Sequence, residues 1–571
     1  MILFFRTPSQ TVIAVEADSA FTPQTERKLS WLFGEAEPLQ AELLEQPYIG
    51  PRREMITPWS TCAVEITRNM GIEGISRIEE YIPEERTRAS DFDPMLQRKY
   101  ARLDQTLFAI DGQPEEMIYI DDIAAYNNSE GLALSSDEIE YLEGVSRKMG
   151  RKLTDSEVFG FSQVNSEHCR HKIFNGTFII DGEEKELSLF QLIKKTSAVN
   201  PNGLVSAYKD NVAFVQGPNI EQFVPDNADR PGFFYSKEIE SVLSLKAETH
   251  NFPTTVEPFY GASTGTGGEI RDRLAGGKGS LPVAGTAVYM TAYPRLEEGR
   301  PWEQTLPARD WLYQTPEQIL LKASNGASDF GNKFGQPLIC GSVLTLEHAE
   351  NNKKFGYDKV IMLAGGIGYA NKRDAIKETP ESGEKVIVMG GDNYRIGMGG
   401  GAVSSVNTGE YSSGIELNAV QRANPEMQKR VSNVIRALAE SDDNPIVSIH
   451  DHGAGGHLNC LSELIEETGG VIDIDKLPVG DKTLSAKEII GNESQERMGL
   501  LVKQEDLERI ERIAEREQAP LYVVGETTDD KRLVFRQEKG VSPIDMELSD
   551  FFGKAPATVM EDTTIEEAYT A

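Results

Sequence analysis

A lysine, a glutamate and a histidine alternate at Lys246, Glu248 and His250. Residues at i, i+2 and i+4 share one face of an extended strand, so this face would offer an ammonium, a carboxylate and an imidazole. Arg271 and Asp272 add a second cation and a second oxygen ligand downstream. Mg²⁺ is commonly bound by one or two carboxylates together with substrate phosphates. The pattern predicts a site for a metal–nucleotide complex, and the alternative is a set of surface salt bridges.

Seven glycines follow these residues, between Gly261 and Gly279. Successive glycines let backbone N–H groups approach an anion, so we predict a phosphate-binding loop here. The spacing is neither that of a Walker A loop nor that of a dinucleotide-binding fingerprint. Most glycine-rich segments only make turns, and the prediction therefore depends on the neighbouring lysine, glutamate and histidine.

A second polar cluster, at residues 165–172, contains His168 and His171 with Cys169 between them. This spacing is poor for a zinc site, and a nucleophilic cysteine beside a histidine is a further alternative. We favour histidines that transfer protons or contact phosphate.

A third candidate is Asp451, which follows a predicted buried strand ending at His450 and precedes a glycine-rich turn. This position suits a metal or ligand contact, and a helix-capping loop is the alternative. The polar run from Glu493 to Arg497 is, by pattern alone, typical of a surface.

The chain has 571 residues, 39% of them hydrophobic and 26% charged, which is the balance of a soluble multidomain protein. Its net charge of −33 argues against nucleic acid and anionic membranes as partners. A nucleotide would therefore need local cations, for which the candidates are Lys172, Lys246, Arg271, Arg273 and Lys278. Four dispersed cysteines, no apolar stretch long enough for a membrane span and no signal peptide favour a cytoplasmic protein.

Hydrophobic patterning predicts an α+β and α/β multidomain fold. Residues 1 to about 125 contain two short strands and a helix that begins at Thr22-Pro23, and residues 126–175 form a polar, helix-prone connector that we interpret as solvated. Residues 176–370 suggest short strands with glycine-rich turns. Residues 371–545 alternate strands and helices, with a helix capped at Asn424-Pro425 and a buried strand at 446–449. The acidic tail, 546–571, has no evident partner.

Several of these segments resemble one family closely, the formylglycinamide ribonucleotide amidotransferases (phosphoribosylformylglycinamidine synthases) of purine biosynthesis. The matching segments are NSEHCRHKIFNG (165–176), LKAETHNFPTTVEPFYGASTGTGGEIRD (245–272), GMGGGAVSS (397–405), VQRANPEM (420–427), HDHGAGGHLN (450–459) and ESQERMGL (493–500). GPRREMITPWS at 50–60 resembles the large, single-chain form. The resemblance implies a Mg²⁺- and ATP-dependent ligase that converts formylglycinamide ribonucleotide to formylglycinamidine ribonucleotide, with ATP activating the amide oxygen and ammonia displacing the phosphate.

The same resemblance implies roles for individual residues. The catalytic pair would be His168 and His250. Nucleotide contacts would come from His171, Lys246, Gly261, Thr264, Gly265, Thr266, Gly267 and Gly268. Substrate contacts would come from Thr249, Asn251, Phe252, Arg271, Gln421, Glu493, Ser494 and Gln495. The Mg²⁺ ligands would be Glu248, Asp272 and Asp451.

The family's domain order implies an accessory-subunit-like domain (1–140), a linker (141–175), an ATP-binding domain (176–370) and a companion domain (371–545) of the aminoimidazole ribonucleotide synthetase-like superfamily. Large family members also carry a second pair of synthetase domains and a glutaminase. We therefore expect this chain to act as an N-terminal half that needs those segments as partners. His452 and His457 occupy positions where the family leads us to expect apolar residues.

Two alternatives remain open at this point. One is a related ATP-using enzyme, such as aminoimidazole ribonucleotide synthetase or selenophosphate synthetase, although the N-terminal domain and the 165–171 motif favour the amidotransferase. The other is a folded, non-catalytic half that only binds its partner half.

Overall fold

The computed structural model describes residues 1–88, 92–93, 96–110, 112–166, 171–297, 299–304, 306–308, 313–350, 353–357, 359–395, 397–400, 419–421, 423–493, 496–538, 540–553 and 558–565, without the side chain of His171. The chain divides into two units. The first comprises Met1–Glu115, Asp392–Arg395 and Val479–Leu484, and the second comprises Glu116–Gly391, Ile396–Pro478 and Ser485–Ala571.

The first unit is built on an antiparallel sheet in the order β3-β1-β2-β5-β4-β6. Its elements are β1 (Ile2–Arg6), β2 (Val12–Ala17), α1 (Pro23–Leu32), β3 (Glu37–Leu39), β4 (Tyr48–Pro51), α2 (Pro58–Asn69), β5 (Ile75–Pro83) and β6 (Gln97–Tyr100). Successive residues of a strand point to opposite faces, so Phe4 and Phe5 enter two separate cores, the second of which includes Leu29 of α1. The predicted strands and the Thr22-Pro23 helix start are confirmed, since the Thr22 side chain caps α1.

The second unit begins with three helices, α3 (Ile123–Glu130), α4 (Ser136–Met149) and α5 (Asp155–Val164). Helices in this connector were predicted, but the solvated interpretation is wrong for α5. Nine of its ten residues are buried. A capping box joins Thr154 and Glu157 at its start, and Arg151 lies 2.6 Å from the Glu157 carboxylate. The ion pair and the cap allow an acidic residue to be buried in the first turn.

A six-stranded sheet in the order β13-β12-β16-β11-β10-β9 follows. The elements from here to residue 371 are α6 (His171–Asn175), β7 (Thr177–Ile180), β8 (Glu183–Glu184), α7 (Leu189–Val199), β9 (Leu204–Ser206), β10 (Ala213–Pro225), β11 (Phe234–Thr249), α8 (Asn251–Val256), α9 (Pro258–Leu274), β12 (Leu281–Thr291), α10 (Pro316–Phe334), β13 (Leu338–Thr345), β14 (Glu347–Glu350), β15 (Lys353–Gly356) and β16 (Ile361–Asn371). The prediction of short strands is confirmed for β8, β9, β14 and β15 but is wrong for β10 and β11, which run for 13 and 16 residues.

The remaining part of the second unit is built on a seven-stranded sheet in the order β18-β20-β17-β21-β19-β22-β23. Its elements are β17 (Lys385–Gly390), α11 (Pro425–Ala439), β18 (Ile446–Asp451), α12 (Gly456–Leu464), β19 (Gly470–Asp473), α13 (Ala486–Gly491), β20 (Arg497–Val502), α14 (Leu507–Glu517), β21 (Leu521–Thr527), β22 (Arg532–Arg536), β23 (Ile544–Glu547), α15 (Leu548–Phe551) and β24 (Val559–Asp562). The predicted cap is confirmed, because the Asn424 side chain accepts a hydrogen bond from Met427 N.

The acidic tail does have a partner, contrary to the prediction. Strand β24 pairs in parallel with β7, Val559 opposite Thr177 and Asp562 opposite Ile180. This pairing is made by backbone N–H and carbonyl groups of β7, so no pattern of side chains could predict it. Among the described residues, no helix is long and apolar enough to span a membrane.

The six-stranded and the seven-stranded sheets of the second unit share one hydrophobic core. It joins Ile270 and Leu274 of α9 and Phe330 of α10 to Val434 of α11 and Ile449 of β18. Helix α9 is therefore packed on several sides, and 14 of its 17 residues are buried.

The glycine-rich segment is a helix, and the prediction of a loop at 261–272 is wrong. A Cβ atom at Gly261 would lie 2.3 Å from the Pro253 carbonyl carbon, and one at Gly267 would lie 2.7 Å from the Phe330 ring. These glycines let α9 approach its neighbours more closely than any other residue would allow. The packing with α8 and α10 outweighs the low helix propensity of glycine, which costs about 1 kcal/mol relative to alanine.

We expect Gly261→Ala to destabilise the chain by about 3 kcal/mol, because the added methyl meets backbone that cannot move aside. The matched control is Gly268→Ala in the same helix, where the new Cβ would meet only Arg271 Nη2 at 3.7 Å. The control should leave stability unchanged or raise it by up to about 1 kcal/mol through helix propensity. Urea unfolding followed by circular dichroism measures both changes. Equal effects would contradict the packing role of Gly261.

Candidate functional site

A cavity of ≈ 320 Å³ lies in the second unit, where β11, α9, β18 and the turn before β20 meet. Among the residues that line it are Glu248, His250, Phe252, Thr264, Gly265, Gly268, Arg271, Asp272, Gln421, Asp451, Glu463 and Glu493. Among the described lining residues, acidic groups outnumber basic ones, so this part of the cavity wall is predominantly negative.

The first wall is the end of β11. Lys246 and Glu248 lie opposite Gly366 and Ala364 of β16 and share one face, as predicted. The Lys246 ammonium lies 3.1 Å from the Glu248 carboxylate and 3.2 Å from that of Asp272. Burial alone would lower the pKa of Lys246, but Asp272, Glu248 and Asp451 together raise it above its usual range. The lysine is therefore a fixed positive charge among carboxylates.

Asp272 and Asp451 lie side by side although they come from different elements, α9 and β18. The side chain of Asn211 donates from Nδ2 to Oδ1 of Asp272 at 3.1 Å and to Oδ1 of Asp451 at 2.8 Å. Burial, and then repulsion by Asp451, raise the pKa of Asp272 to about 8. Burial also raises the pKa of Asp451, although Arg271 and Lys246 oppose the shift. The pair consequently holds a proton near neutral pH that a bound cation would displace.

Arg271 lies behind these carboxylates and is 1% exposed. Its Nη1 donates to Gln428 Oε1 at 2.9 Å, and its Nε lies 3.8 Å from Asp451 Oδ2. Burial lowers the pKa of Arg271, and Asp451, Glu496 and Asp272 oppose that change. In the described part of the chain, Nε has no hydrogen-bond partner. Such a buried guanidinium at a cavity wall is suited to an anionic or carbonyl-bearing ligand.

His250 follows the last residue of β11 and lines the cavity. Its Nδ1 lies 2.5 Å from the carbonyl oxygen of Gly261, which can only accept a hydrogen bond. The proton of the neutral ring is therefore on Nδ1, and Nε2 is the basic nitrogen. Gly265 leaves room for this ring, since a Cβ there would lie 2.9 Å from the His250 Cβ.

Glu493 connects two further parts of the cavity wall, at Gln421 and at the turn that ends at Gly455. Its Oε2 accepts from Gln421 Nε2 at 3.0 Å, and its Oε1 accepts from the backbone N–H of Gly455 at 3.1 Å. Glu493 is 2% exposed, so the surface interpretation of the run that begins at 493 is wrong for this residue. A buried carboxylate that accepts from two elements fixes their relative position.

Three family models match the chain in sequence order. "Formylglycinamide ribonucleotide amidotransferase N-terminal" matches residues 10–105, "Formylglycinamide ribonucleotide amidotransferase linker domain" matches 123–172, and "AIR synthase related protein, C-terminal domain" matches 381–538. The chain belongs to the formylglycinamide ribonucleotide amidotransferase family. The boundaries predicted at 140, 175, 370 and 545 stay predictions.

One solved structure of PurL shares this fold, and further PurL structures are similar to this chain. PurL from Thermotoga maritima complexed with FGAR matches with a TM-score of 0.50 at 21% identity, over 76% of this chain and 58% of that chain. PurL complexed with ATP gives 0.48 at 19% identity, over 76% and 57%, and PurLQS from the same organism gives 0.48 at 21%, over 76% and 57%. The chain thus spans less than two thirds of the length of these structures.

Most residues that the family resemblance selected line one cavity. They are Glu248, His250, Phe252, Thr264, Gly265, Gly268, Arg271, Asp272, Gln421, Asp451 and Glu493. Lys246 contacts two of them by ion pairs. His168, Ser494 and Gln495 lie outside the described residues, as do the side chain of His171 and residues 401–405 of the GMGGGAVSS segment.

Several selected residues have structural contacts instead of a place in the lining. Asn251 Oδ1 accepts from Met362 N at 3.1 Å, Gly267 O accepts from Gln428 Nε2, and Gly261 contacts α8. Thr266 is buried within α9, and Thr249 ends β11 at an exposed position. Even Thr264, which lines the cavity, donates its hydroxyl to Tyr260 O at 2.8 Å.

Three of the five candidate cations are also committed elsewhere. Lys172 pairs with Glu138, Lys278 pairs with Glu378, and Arg273 is fully buried against Glu269 and Gln336. The count of basic residues could not distinguish them from Lys246 and Arg271, because the distinction depends on which carboxylate each one meets in the fold.

Sequence reasoning missed Asn211 and Glu463. Glu463 lines the cavity, and its carboxylate lies 3.0 Å from His450 Nδ1. Asn211 belongs to the turn before β10, about sixty residues from Asp272 along the chain, and no motif marks it.

Within the described residues, no group of three or more His, Cys, Asp or Glu side chains is arranged to hold a metal ion. Lys246 lies between the carboxylates of Glu248 and Asp272.

His452 and His457 form a buried pair, which explains how two polar residues occupy positions expected to be apolar. His452 Nε2 lies 2.9 Å from His457 Nδ1, and Arg497 Nη1 lies 3.0 Å from His457 Nε2. Arginine only donates, so His457 carries its proton on Nδ1 and donates it to His452. Burial lowers the pKa of both imidazoles well below the usual range, so both are neutral. The pair fixes the turn between Asp451 and Gly455.

We expect the two histidines to be energetically coupled. His452→Val should cost about 1–3 kcal/mol in the natural chain, because it leaves the His457 donor buried and unpaired. In a His457→Leu background the same substitution should cost close to nothing, since the partner is already absent. Urea unfolding of the four proteins of the cycle measures this, with His348→Val, at an exposed histidine, as the control. Equal costs in both backgrounds would contradict the coupling.

Proposed function

We propose that this chain supplies the synthetase site that converts formylglycinamide ribonucleotide to formylglycinamidine ribonucleotide with ATP and Mg²⁺. The observation that carries the proposal is the meeting, in one cavity, of Glu248 and His250 from β11, Arg271 and Asp272 from α9, and Asp451 from β18. These residues come from two family motifs, 245–272 and 450–459, and each has a chemistry that the reaction requires.

The cation would be held by Glu248, Asp272 and Asp451. The donor set fits, because all three offer carboxylate oxygens, which Mg²⁺ prefers. Burial raises the pKa values of both aspartates, and repulsion by Asp451 adds to the shift of Asp272, so Lys246 and Arg271 offset the negative charge of the pair only in part. When bound, Mg²⁺ would neutralise phosphate charge. Since this ion normally takes only one or two carboxylates beside phosphates and water, a preformed cage of ligands is not required.

Nucleotide contacts are proposed for Lys246, His171, Thr264, Gly265 and Gly268. Because α9 is helical, its glycines would contribute a smooth wall that a ligand can approach closely, rather than a cradle of loop N–H groups. Gly261, Thr266 and Gly267 would act indirectly, by setting the position of that wall.

The ribonucleotide substrate would contact Arg271, Gln421 and Glu493. Arg271 offers a buried positive charge, and Gln421 and Glu493 offer an amide and a carboxylate that already orient each other at 3.0 Å. Phe252, Thr249, Asn251, Ser494 and Gln495 complete the proposed set by family resemblance.

In the proposed reaction the substrate amide oxygen attacks the γ-phosphorus of ATP, and ADP leaves. Ammonia then adds to the amide carbon and phosphate leaves, which forms the amidine. His250 would accept a proton at Nε2 while its Nδ1–H stays bonded to Gly261 O. His168 is the second proposed catalytic residue. Arg271 would orient the substrate beside these groups.

The second candidate is a chain that binds the ligands without turnover. The observation that favours it is the extent of the match, because this chain covers only 58% of the Thermotoga maritima PurL chain. The two candidates share the same ligands, so binding tests the site and turnover separates the candidates. An ammonium salt as the nitrogen source keeps the turnover assay independent of glutaminase activity.

We expect calorimetry to show binding of formylglycinamide ribonucleotide and of Mg²⁺–ATP to the full chain. Glu248→Gln should weaken Mg²⁺–ATP binding about tenfold or more, because the charge for the cation is lost while the shape is kept. The matched control is Glu347→Gln, at a partly buried glutamate that pairs with Arg295 at 2.8 Å, away from the cavity. Equal affinities of the two variants would contradict the assignment of Glu248.

We also expect Mg²⁺ binding to release a proton. Because the pKa of Asp272 is about 8, the Asp272–Asp451 pair keeps a proton at pH 7 and loses it by pH 9.5. Calorimetry in two buffers of different ionisation enthalpy should show up to about one proton released at pH 7, almost none at pH 9.5, and tighter binding at the higher pH.

The control for this linkage is Glu269→Gln. Burial raises the pKa of Glu269 to about 7, but Glu269 bonds to Arg273 and Gln336 and not to the cavity carboxylates. The variant should therefore release protons as the natural chain does. A release that is the same at both pH values would contradict a protonated pair.

A further inference from the structure

Asn211 donates hydrogen bonds to both Asp272 and Asp451, and no other side chain in the described part of the chain does so. Its Nδ2 has two hydrogens, and it has two carboxylate acceptors, Asp272 Oδ1 at 3.1 Å and Asp451 Oδ1 at 2.8 Å. The donor capacity of this one nitrogen therefore matches the two acceptors. Since Asp272 is in α9 and Asp451 ends β18, the amide ties together elements of the two sheets that share the core of this unit.

The orientation of the amide is fixed by its neighbours. Lys377 Nζ donates to Asn211 Oδ1 at 3.4 Å and lies 2.5 Å from Asp210 Oδ1. Asp210 in turn accepts from the backbone N–H of Gly277 at 2.6 Å, which anchors the turn to the end of α9. With the ammonium group on the oxygen side, the NH₂ side of the amide must face the two aspartates.

The hydrogen bonds of Asn211 oppose the electrostatic repulsion between Asp272 and Asp451. When both are ionised, as they must be to bind a cation together, two carboxylates buried side by side repel each other and would separate if nothing held them. A neutral donor shared between them keeps them close without adding a positive charge that would compete with a cation for the same oxygens. Lys246 does supply such a charge, but it lies between Asp272 and Glu248 and not between the two aspartates.

We propose that Asn211 is a positioning residue that holds Asp272 and Asp451 together so that one divalent cation can be bound by both. This inference rests on the cation site of the proposed function. In this proposal the 210–211 turn and Lys377 position the two aspartates, and they do so without contacting nucleotide or substrate.

The test is a titration of the full, ligand-free chain with Mg²⁺, read by calorimetry and by the shift in Tm that Mg²⁺ produces. Asn211→Leu keeps the approximate size and removes the donor, and it should weaken Mg²⁺ binding about five- to tenfold. Asn211→Asp keeps the shape but adds a third negative charge. It should lower the Tm measured in EDTA and increase the Tm gain that Mg²⁺ produces.

The matched control is Asn433→Leu. Asn433 is a partly buried asparagine of the same unit whose Nδ2 donates to a single carboxylate, Glu517 Oε2, at 3.0 Å. It should lose some stability and no Mg²⁺ affinity, so a general effect of removing an asparagine is excluded. If Asn211→Leu does not fold, Asn211→Asp carries the test alone.

Natural Mg²⁺ affinity in both Asn211 variants would overturn the proposal, and so would the absence of Mg²⁺ binding by the natural chain at millimolar concentration. Failure of the proposed function gives a different result. In that case formylglycinamide ribonucleotide and ATP do not bind, while Mg²⁺ binds in an Asn211-dependent way, and the inference about the turn stands.

Discussion

The burial of two carboxyl groups side by side is the constraint on which the rest of the site depends. Asp272 and Asp451 lie within reach of one amide nitrogen, and burial keeps the pKa of Asp272 at about 8. The fold must therefore hold two groups together that would otherwise separate. Helix α9 supplies one aspartate and β18 the other, and both elements are fixed by the shared core of the second unit. Because the same packing creates the repulsion and withstands it, the chemistry of the cavity cannot be separated from the assembly of its two sheets.

Charge in this protein is organised locally. The net charge of −33 predicts that a nucleotide needs cations near its site, and Lys246 and Arg271 are at the cavity. Arg273, two residues from Arg271, points into the protein and satisfies Glu269 instead. Successive residues of a helix point about 100° apart, so neighbouring arginines of α9 reach opposite environments. One of them belongs to the site and the other to the structural core.

Periodic segments were predictable from the sequence, because their hydrophobic spacing is imposed by the geometry of a single element. The Asn424 cap and the strand of the second unit that ends at Asp451 are examples. The helix at 258–274 was not predictable, since glycine has low helix propensity and its use here depends on Pro253 and Phe330, which lie outside the helix. The family motifs selected most of the cavity lining. They did not select Asn211, whose role arises only when α9 and β18 meet.

The buried histidines show how a polar pair can replace apolar packing next to such a site. Each imidazole alone would cost free energy in a core. Here His452 accepts a hydrogen bond from His457, and Arg497 donates one to the other nitrogen of His457, which fixes the orientation of both rings. A hydrogen bond has a direction, whereas an apolar contact does not. The turn that leads from Asp451 to Gly455 is therefore held by bonds of defined geometry on its buried side and by the Glu493 carboxylate on the cavity side. These two restraints act on opposite sides of one short turn, and together they hold Asp451 in place beside Asp272.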